Sequence, residues 1–525
     1  MAKSRPLTIV FPSGGVSKRY GYHKQAPFTT PSSDNIWPTD WETGRERGGV
    51  RPGVTGYGDS GGIPYNWCEA NSLAGIGVAV TSSTGTNVRW YGGANWTTAP
   101  GISTEPGSND FSSCAVYLQD LYQAQGSGTV RFRPLHTSSF QSSVAGATSA
   151  EAELTAGASP IHPQNALPLE QEIYGTAPKN CGLVITWGDR LVFGGDTLNE
   201  QIIYMSAIGD PRTYDYSSVA ANAAWSNSGA QAGHVGENVT SLINHNQDCL
   251  LVGCTDSIYA VRGNPRLSSV PIYSLSTTVG PLMQSAWCKT GNDFTVMMTR
   301  DGLYSMRPGC GEPPTSMSRD VLPEELTAID PGAGDKVSIG YDVRWRGIHI
   351  YATIGGDNVH WFYDMQSKGF WPMSFGAKNF ELAVNFKRIS SPTKSGLLAI
   401  ESDGTANQFD LDSTEAISSH LYYGPVAIGS PHTVGVVSQA TAVLGEASGK
   451  VGWEIYASDS PQQAYNMTTP SFIGKDWDTQ GLNNAQNPLV RGSAMYLKAF
   501  DVLNSRWTVE EIPIVVRQAG PRRAL

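Results

Sequence analysis

The stretch FTVMMTRDGLYSMRPG, residues 294–309, decides the fold class of this 525-residue chain. β-Branched, aromatic and long apolar residues stand on both sides of a polar turn, and Asp301 and Gly302 at its centre tolerate the positive φ of a tight hairpin. The stretch therefore predicts two short antiparallel strands. One hairpin buries a single face and is marginally stable in water, so it needs further strands to pack against.

The same strand–turn–strand pattern returns along the chain. Three further clear copies are CLLVGCTDSIYAVRG (249–263), IHIYATIGGDNVHWFYDM (348–365) and GLLAIESDGTANQFDL (396–411), and looser copies are VAVTSSTGTNVRWYG (78–92), GLVITWGDRLVFGG (182–195) and GSGTVRFRP (126–134). The clear turns centre near residues 256, 301, 357 and 403, about 45, 56 and 46 residues apart. Sheet units with such a period are typical of a β-propeller, in which they stack radially. A β-sandwich would show turn signals roughly every 8–12 residues without the longer period.

Three regions follow from this pattern. We predict an all-β chain with a β-propeller of six to eight blades over residues 63–415, including a long Ser-, Ala- and Pro-rich insertion near 136–175. Residues 1–62 have frequent Pro and Gly, little periodicity and several aromatic residues, and they predict an extended N-terminal arm that lies across another surface. Residues 416–525 alternate apolar and polar residues, as in VGWEIYASDS (451–460), and predict a small antiparallel β-domain.

The charge of the chain argues against tight nucleic-acid binding. The formal net charge is −10, and charged residues make up 16% of the chain, below the roughly 25% of ordinary globular proteins. Tight binding to nucleic acid needs clustered cations that release counterions, whereas an acidic surface lets DNA pass without sticking. The low charge also suits a subunit that neighbours cover on several sides.

The sequence predicts synthesis and maturation in a cytoplasm. The longest apolar run, AGIGVAV (74–80), is far shorter than the roughly 20 residues of a membrane span. The first residues contain no apolar run of the length that an export signal has. Seven scattered cysteines, an odd number, form no disulfide framework, and we expect reduced and buried thiols.

Metal-ligand patterns are weak in this sequence. His349 and His360 stand on the two strands of one predicted hairpin, but no third ligand is near them. We therefore expect both histidines to be packed or solvated side chains of the sheet.

Glycosidase catalysis requires two acids, and two carboxylate pairs in the sequence are candidates for them. The pairs Asp210/Asp215 and Glu324/Glu325 are not distinguishable from acids of turns and helix starts, and the Asp-Gly turns match the sialidase Asp box only in those two residues. The sequence therefore predicts no enzyme, no cofactor and no metal. A glycan-degrading or glycan-binding propeller of a phage tail is the alternative.

Aromatic and basic side chains of the arm are the candidate assembly contacts. They are Tyr20, Phe28, Trp37, Trp41, Arg45, Arg47 and Arg51. The arginines, together with Arg517, Arg522 and Arg523 at the other end, are balanced by Asp40, Glu42, Glu46, Glu510 and Glu511. This balance predicts a solvated or intersubunit rim of salt bridges and not a nucleic-acid site.

The order of motifs along the chain resembles a known family. Gly14-Gly15 is followed by Ala26-Pro27-Phe28, by Asn35 and by an R-x-R-G-G-x-R-P-G close at residues 45–53. Next come WGDRLVFGGDTLNEQIIYMSAIGDPRTYDYS (187–217) with its S-x-x-G-D-P turn, LLVGCTDSIYAVRG, FTVMMTRDGLYSM, SRDVLPEEL (318–326) and finally RGSAMYLKAFDVLNSRWTVEEIPIVV (491–516). Over nearly the whole chain this order is similar to the tail nozzle proteins (tail-tube protein B type) of podoviruses, the short-tailed bacteriophages.

This resemblance implies a structural virion protein without catalytic activity. Six copies would form a ring below the tail adaptor, with the DNA ejection channel inside and tail fibres or spikes attached outside. Assembly would take place in the cytoplasm of the host bacterium, and genomic DNA would pass the ring without specific binding.

Overall fold

The computed structural model describes residues 4–19, 21–59, 64–72, 75–82, 89–91, 96–98, 113–117, 120–124, 126, 131–134, 152–153, 175, 177–211, 213–228, 235–268, 271–318, 321–386, 396–430 and 432–521. Strands dominate these residues. The helices described are the α-helices Glu324–Thr327 (α1) and Pro461–Tyr465 (α2) and the 3-10 turns Tyr22–Lys24 and Pro331–Ala333. None of these helices is long and apolar enough to cross a membrane. Most of the predicted insertion at 136–175 falls outside the described residues.

The N-terminal segment contributes five strands. They are Ser4–Val10 (β1), Ser33–Asp34 (β2), Ile36–Trp37 (β3), Gly49–Val50 (β4) and Gly53–Asp59 (β5). β3 and β4 pair with each other, whereas β1, β2 and β5 each join a sheet that belongs to a later part of the chain.

Seven four-stranded antiparallel sheets follow one another. Their strands are Pro64–Ser72, Gly75–Ser82, Arg89–Tyr91 and Trp96–Thr98 (β6–β9); Ser113–Tyr117, Asp120–Ala124, Arg131–Pro134 and Ala152–Glu153 (β10–β13); Cys181–Trp187, Arg190–Asp196, Tyr204–Met205 and Trp225–Ser226 (β14–β17); Val239–Asn246, Cys249–Cys254, Ile258–Arg262 and Ile272–Ser276 (β18–β21); Trp287–Lys289, Thr295–Thr299, Gly302–Met306 and Thr315–Ser316 (β22–β25); Lys336–Asp342, Gly347–Ile354, Asp357–Asp364 and Phe370–Met373 (β26–β29); and Phe380–Phe386, Gly396–Glu401 and Thr405–Asp410 (β30–β32), to which β5 adds the fourth strand.

The sheets are arranged as a β-propeller, which confirms the predicted fold class. First strands lie side by side from the first to the fourth sheet and from the fifth to the seventh, and β30 of the last sheet contacts β6 of the first, which closes the ring. The fourth and fifth sheets are joined by the Gln284 amide, which bonds the N–H and the carbonyl of Leu242 at 2.8 and 3.1 Å. Because β5 is the outer strand of the last sheet, the arm–propeller boundary predicted at residue 62 moves to the start of β5, at Gly53.

Burial of both sheet faces explains the sequence of the middle strands. In a propeller each sheet is covered by its two neighbours, so its central strands are apolar on both faces and do not alternate. All six residues of β19 (CLLVGC) and all five of β23 (TVMMT) are buried. The tight turn between β23 and β24 has Gly302 at φ +112°, as its Asp-Gly sequence predicts.

The C-terminal region consists of two further antiparallel sheets. Its strands are His420–Ala427 (β33), Thr433–Ala440 (β34), Val443–Leu444 (β35), Val451–Ser458 (β36), Phe472–Ile473 (β37), Gly481–Leu482 (β38), Val490–Gly492 (β39), Ala494–Asp501 (β40) and Val509–Pro521 (β41). One sheet has the order β38-β35-β41-β34-β39 with β1 paired to β41, and the other has the order β2-β33-β40-β36-β37. Apolar side chains of the two sheets share one hydrophobic cluster with the arm and with the propeller. The N-terminal segment therefore supplies a strand to each sheet of this domain and one to the propeller.

Cysteine pairing differs from the prediction. Cys249 and Cys310 form a disulfide, so the expectation of reduced thiols fails at this pair. The spacing of cysteines in the sequence does not predict this pair, because the two residues are 61 positions apart and the packing of neighbouring sheets brings them together. Cys114, Cys181, Cys254 and Cys288 are buried free thiols, as predicted; the side chain of Cys68 lies outside the described part.

Truncation of a central strand tests the two-sided burial. Leu250 in β19 is fully buried, and we expect Leu250→Ala to lower the free energy of unfolding by about 2–5 kcal/mol, because it leaves a cavity between sheets. Leu267, which is 74% exposed, is the matched control, and Leu267→Ala should change stability by less than about 0.5 kcal/mol. Urea denaturation measures both, and equal effects would contradict the predicted packing.

Candidate functional site

Residues 11–52 contact the propeller on one side and the C-terminal domain on the other. We call this contact the interdomain seam. Trp37 of β3 is its apolar centre, 2% exposed, and its ring stacks on Phe362 of β28 with centroids 4.4 Å apart. Trp345, His349 and Phe409 contact the same indole from edge or tilted orientations at 5.3–5.7 Å. The arm is thus anchored by an aromatic side chain in the last two propeller sheets.

Arg51 is the polar centre of the seam. Its guanidinium is almost fully buried, pairs with the carboxylate of Glu415 at 3.1 Å and lies 4.2 Å from the ring centre of Phe375. It also donates to the side-chain oxygen of Asn35 at 2.8 Å and to the carbonyl of Ser374 at 2.9 Å. A buried charge is tolerated when its partners are complete, and these partners come from the arm, the end of β29 and the connection into the C-terminal domain.

Asn35 holds the backbone that presents Arg51. Its φ is +56°, a left-handed conformation that Asn adopts more readily than most residues. Its side-chain amide donates to the Ser374 hydroxyl and to the Ser418 carbonyl, both at 2.8 Å. The Ser374 hydroxyl in turn donates to the carboxylate of Asp34 at 2.7 Å, and burial raises the pKa of Asp34. Asn35 therefore ties β2 to both domains.

A second ionic cluster fixes the turn between β3 and β4 to the C-terminal domain. Asp40 is fully buried and accepts from Arg47 at 2.8 Å, from Arg506 and from the hydroxyl of Thr43 at 2.6 Å. Arg47 also pairs with Glu510 of β41. Two arginines thus surround one buried carboxylate. The sequence predicts a solvated or intersubunit rim of salt bridges, whereas this cluster is largely buried and lies within one chain.

Two glycines permit close backbone approaches at the seam. Gly15 has φ +72°, and a Cβ there would lie 2.6 Å from the carbonyl oxygen of Phe370. Gly48 has φ +70°, and a Cβ there would lie 1.9 Å from the ring of Phe11. Both glycines belong to the motifs that carry the family resemblance, so these motif positions have a steric function inside the chain.

Three buried histidines border the seam. Burial lowers the pKa of His349, His360 and His420 to about 4 each. His420 contacts the hydroxyl of Ser32 at 3.2 Å, and His360 contacts the carbonyl of Phe380 at 3.1 Å. Within the described residues, neither ring nitrogen of His349 has a hydrogen-bond partner. The expectation that His349 and His360 are packed sheet residues is confirmed, and neutral imidazoles are part of the seam.

The candidate assembly contacts divide into two groups. Trp37, Arg47 and Arg51 point into the chain, and Trp41 lies half-buried with its indole N–H donating to the Val50 carbonyl at 2.8 Å. Phe28 is 63% exposed, and the guanidinium of Arg45 is exposed 3.7 Å from the carboxylate of Glu510. Tyr20 lies outside the described residues. Phe28 and Arg45 are therefore the members of the set that a partner can reach in this structure.

Three of the four candidate catalytic carboxylates have hydrogen-bond or ion-pair partners in the structure. Asp210 accepts from the hydroxyl of Thr213 at 2.7 Å. Asp215 accepts from the hydroxyl and the N–H of Ser217, and these bonds lower its pKa. Glu325, in the first turn of α1, pairs with Lys18 of the arm. In the part of the chain that the structure describes, no three His, Cys, Asp or Glu side chains are grouped as a metal site.

One catalytic pattern that sequence reasoning passed over is GDSGG at 58–62, which satisfies G-x-S-x-G. In a hydrolase this pattern marks a turn from a strand into a helix that exposes the serine. Here β5 ends at Asp59, Ser60 lies outside the described residues, and the next described element is the strand β6. The described elements before and after the motif are thus both strands, whereas a nucleophile elbow leads from a strand into a helix.

A cavity of about 430 Å³ opens between the fifth and sixth sheets. Phe294, Met317, Tyr341 and Met365 line it together with the amide of Gln366. Gln366 also contacts Glu46 of the arm, so the cavity adjoins the seam.

Comparison with known proteins gives similar architectures and no family: no family model and no curated protein matches the chain. Among solved structures, the extracellular domain of the hybrid two component system BT3049 from B. thetaiotaomicron aligns with a TM-score of 0.43 at 11% identity, over 83% of this chain and 49% of that one. YCF48 from Cyanidioschyzon merolae aligns with a TM-score of 0.37 at 11% identity, over 69% and 99%. The computationally designed Ika8 protein aligns with a TM-score of 0.39 at 12% identity, over 67% and 97%.

This chain spans about half the length of the extracellular domain from B. thetaiotaomicron. Because these TM-scores lie below 0.5, no property of the three proteins is transferred to this chain.

Removal of the buried Arg51 cation tests whether its ion pair in the interdomain seam stabilises the protein. We expect Arg51→Met to lower the free energy of unfolding by about 3–5 kcal/mol, because it leaves the Glu415 carboxylate without its partner. Arg45→Met removes an exposed arginine from a neighbouring position and should cost less than about 1 kcal/mol. The double variant Arg51→Met/Glu415→Gln should recover part of the loss. Urea denaturation of the three variants decides, and an Arg51→Met protein as stable as the Arg45→Met protein would refute this role.

The histidines make the seam sensitive to acid. Their pKa lies near 6.5 in the unfolded chain and near 4 in the folded one, so their contribution is complete above pH 6.5 and is lost as the pH falls towards 4. For fully buried His349 the loss amounts to about 3 kcal/mol. Asp342 opposes this shift of the His349 pKa, whereas Arg344 and Arg51 add to it.

Thermal melts between pH 7.5 and 4.5 measure the effect. His349→Phe keeps an aromatic ring at the site but cannot be protonated, and it should flatten the fall of the melting temperature in acid. The exposed His23 is the control, and His23→Phe should leave the pH profile unchanged. An unchanged slope in His349→Phe would show that His349 is not part of the acid response.

Proposed function

We propose that this protein is a structural virion protein, the nozzle subunit of a short bacteriophage tail. Copies of the chain, six by the family resemblance, form a ring around the DNA ejection channel below the tail adaptor, and fibres or spikes attach outside. The protein catalyses no reaction in this role, and its site of action is the tail of the virion after assembly in the bacterial cytoplasm.

The positions that the N-terminal motif residues occupy in the structure are the observation that supports this proposal. Gly15, Asn35, Gly48 and Arg51 are positions by which the arm resembles the nozzle family. Gly15, Asn35 and Arg51 hold the arm against the propeller or the connection into the C-terminal domain, and Gly48 leaves room within the arm for the ring of Phe11. Motif residues of an enzyme or a lectin would converge on a substrate. Residues that converge on an internal joint suit a scaffold whose two domains must keep a fixed angle.

The charge of the chain is compatible with a DNA channel. At a net charge of −10 the ring would carry about −60, and a polyanion would pass such a wall without the counterion release that tight binding requires. Low overall charge leaves much of the remaining surface suitable for contacts between subunits.

Imaging tests the proposal directly. Virions that contain this protein should show a ring at the distal end of the tail, with a copy of the propeller in each subunit and carboxylates on the channel wall. A chain that stays outside the particle, or that releases reducing ends from host polysaccharide, would contradict it in favour of a glycan-degrading tail protein. Clear hits on a glycan array, with ligand in the cavity beside Tyr341, would favour the glycan-binding alternative.

A further inference from the structure

The fourth and fifth propeller sheets are joined by one pair of cysteines with unequal access to solvent. Cys249 starts β19 and is fully buried, whereas Cys310 lies half-buried in the loop between β24 and β25. Four other described thiols, those of Cys114, Cys181, Cys254 and Cys288, are buried. Cys310 is therefore the most exposed of the described cysteine residues, and we expect a reagent from solvent to react with it first.

Non-covalent contacts hold the Cys310 loop in place independently of the sulfur bond. The imidazole of His245 in β18 contacts the carbonyls of Arg307 and Gly309 at 2.7 and 3.2 Å, and its other nitrogen contacts the Thr295 hydroxyl at 2.8 Å. The hydroxyl of Tyr273 in β21 contacts the carbonyl and the sulfur of Cys310 at 2.9 and 3.0 Å. The loop is thus anchored to the fourth sheet by His245 and Tyr273, so the two thiols remain neighbours after reduction.

We propose that Cys249 and Cys310 form a redox-gated lock between these sheets, open during assembly in the reducing cytoplasm and closed by a small-molecule disulfide after the particle leaves the cell. The context of assembly and release rests on the proposed function; the chemistry of the pair does not. Closure takes two exchanges. The Cys310 thiolate attacks the disulfide reagent, forms a mixed disulfide and expels one thiolate. The Cys249 thiolate then attacks the Cys310 sulfur and expels the second, so the reagent is reduced to two thiols and the protein gains one disulfide.

Trapping with oxidised glutathione tests the order of these steps. The full-length chain is used in a Cys68→Ser background, because the side chain of Cys68 is outside the described part, which leaves six thiols of the original seven. After reduction, treatment with oxidised glutathione, unfolding in urea and alkylation, intact mass should show four alkylated thiols and no glutathione adduct. Cys249→Ser should stop at one glutathione adduct on Cys310, and Cys310→Ser should gain no adduct and no disulfide. Cys288→Ser is the control for loss of a buried thiol and should still form the disulfide.

Two results would contradict the proposed redox-gated lock. One is retention of six alkylated thiols after oxidation of the chain. The other is an adduct in Cys310→Ser that forms as fast as in Cys249→Ser. Circular dichroism checks that each variant is folded, and the oxidised form should have a higher urea midpoint than the reduced form because the bond closes a long loop in the unfolded chain.

The cellular part of the proposal has its own test. Chain made in a bacterial cytoplasm and alkylated at lysis should carry labels on all its thiols, whereas chain taken from released particles should carry two fewer. A disulfide already complete at lysis would refute the gating, and so would free thiols in released particles. These results are separate from the imaging of the tail: a ring without a lock refutes only the present inference, and a lock without a ring refutes only the nozzle function.

Discussion

Burial of the Arg51 guanidinium is the constraint on which the joint between the two domains depends. A buried charge destabilises a protein unless hydrogen bonds and a counterion replace the lost water, and here the replacements come from Asn35 in the arm, Ser374 at the end of β29 and Glu415 before the C-terminal domain. The set is complete only when all three segments are in place. The same holds for Asp40, whose carboxylate needs Arg47 and Arg506. Unpaired, the buried charges of Arg51 and Asp40 would destabilise the protein. They are paired only when propeller, arm and C-terminal domain take this one arrangement.

The N-terminal segment has contacts throughout its own chain. Its Pro and Gly content, together with its scattered aromatic residues, is typical of an arm that lies across another surface. In the structure β1 pairs along β41, β2 pairs with β33, and β5 completes the last propeller sheet. The segment closes the propeller and completes both sheets of the C-terminal domain. Phe28, at φ +58°, and Arg45 are exposed side chains of this segment.

Sequence reasoning succeeded where the signal is local. Asp-Gly and Gly-Gly turns with apolar flanks predicted the hairpins of β23–β24, β27–β28 and β31–β32, and their period predicted the propeller. It failed where partners are distant in sequence. Arg51 and Glu415 are 364 positions apart, Arg506 and Asp40 are 466 apart, and nothing near either residue indicates its partner. The disulfide and the contribution of β5 to the last sheet were missed for the same reason: packing of two neighbouring sheets brings Cys249 and Cys310 together, and closure of the ring brings β5 to β32.

The central claim is that the arm is an integral part of one folded body, and hydrogen–deuterium exchange measures this most directly. Main-chain amides of Asn35, Val50 and Arg51, which bond to the carbonyls of Pro372, Trp507 and Asn35 respectively, should exchange as slowly as amides of the buried strand β19 and should lose protection at the same urea concentration. Rapid exchange of these amides while β19 stays protected would show that the arm detaches from a folded propeller, and the account of the seam would be wrong.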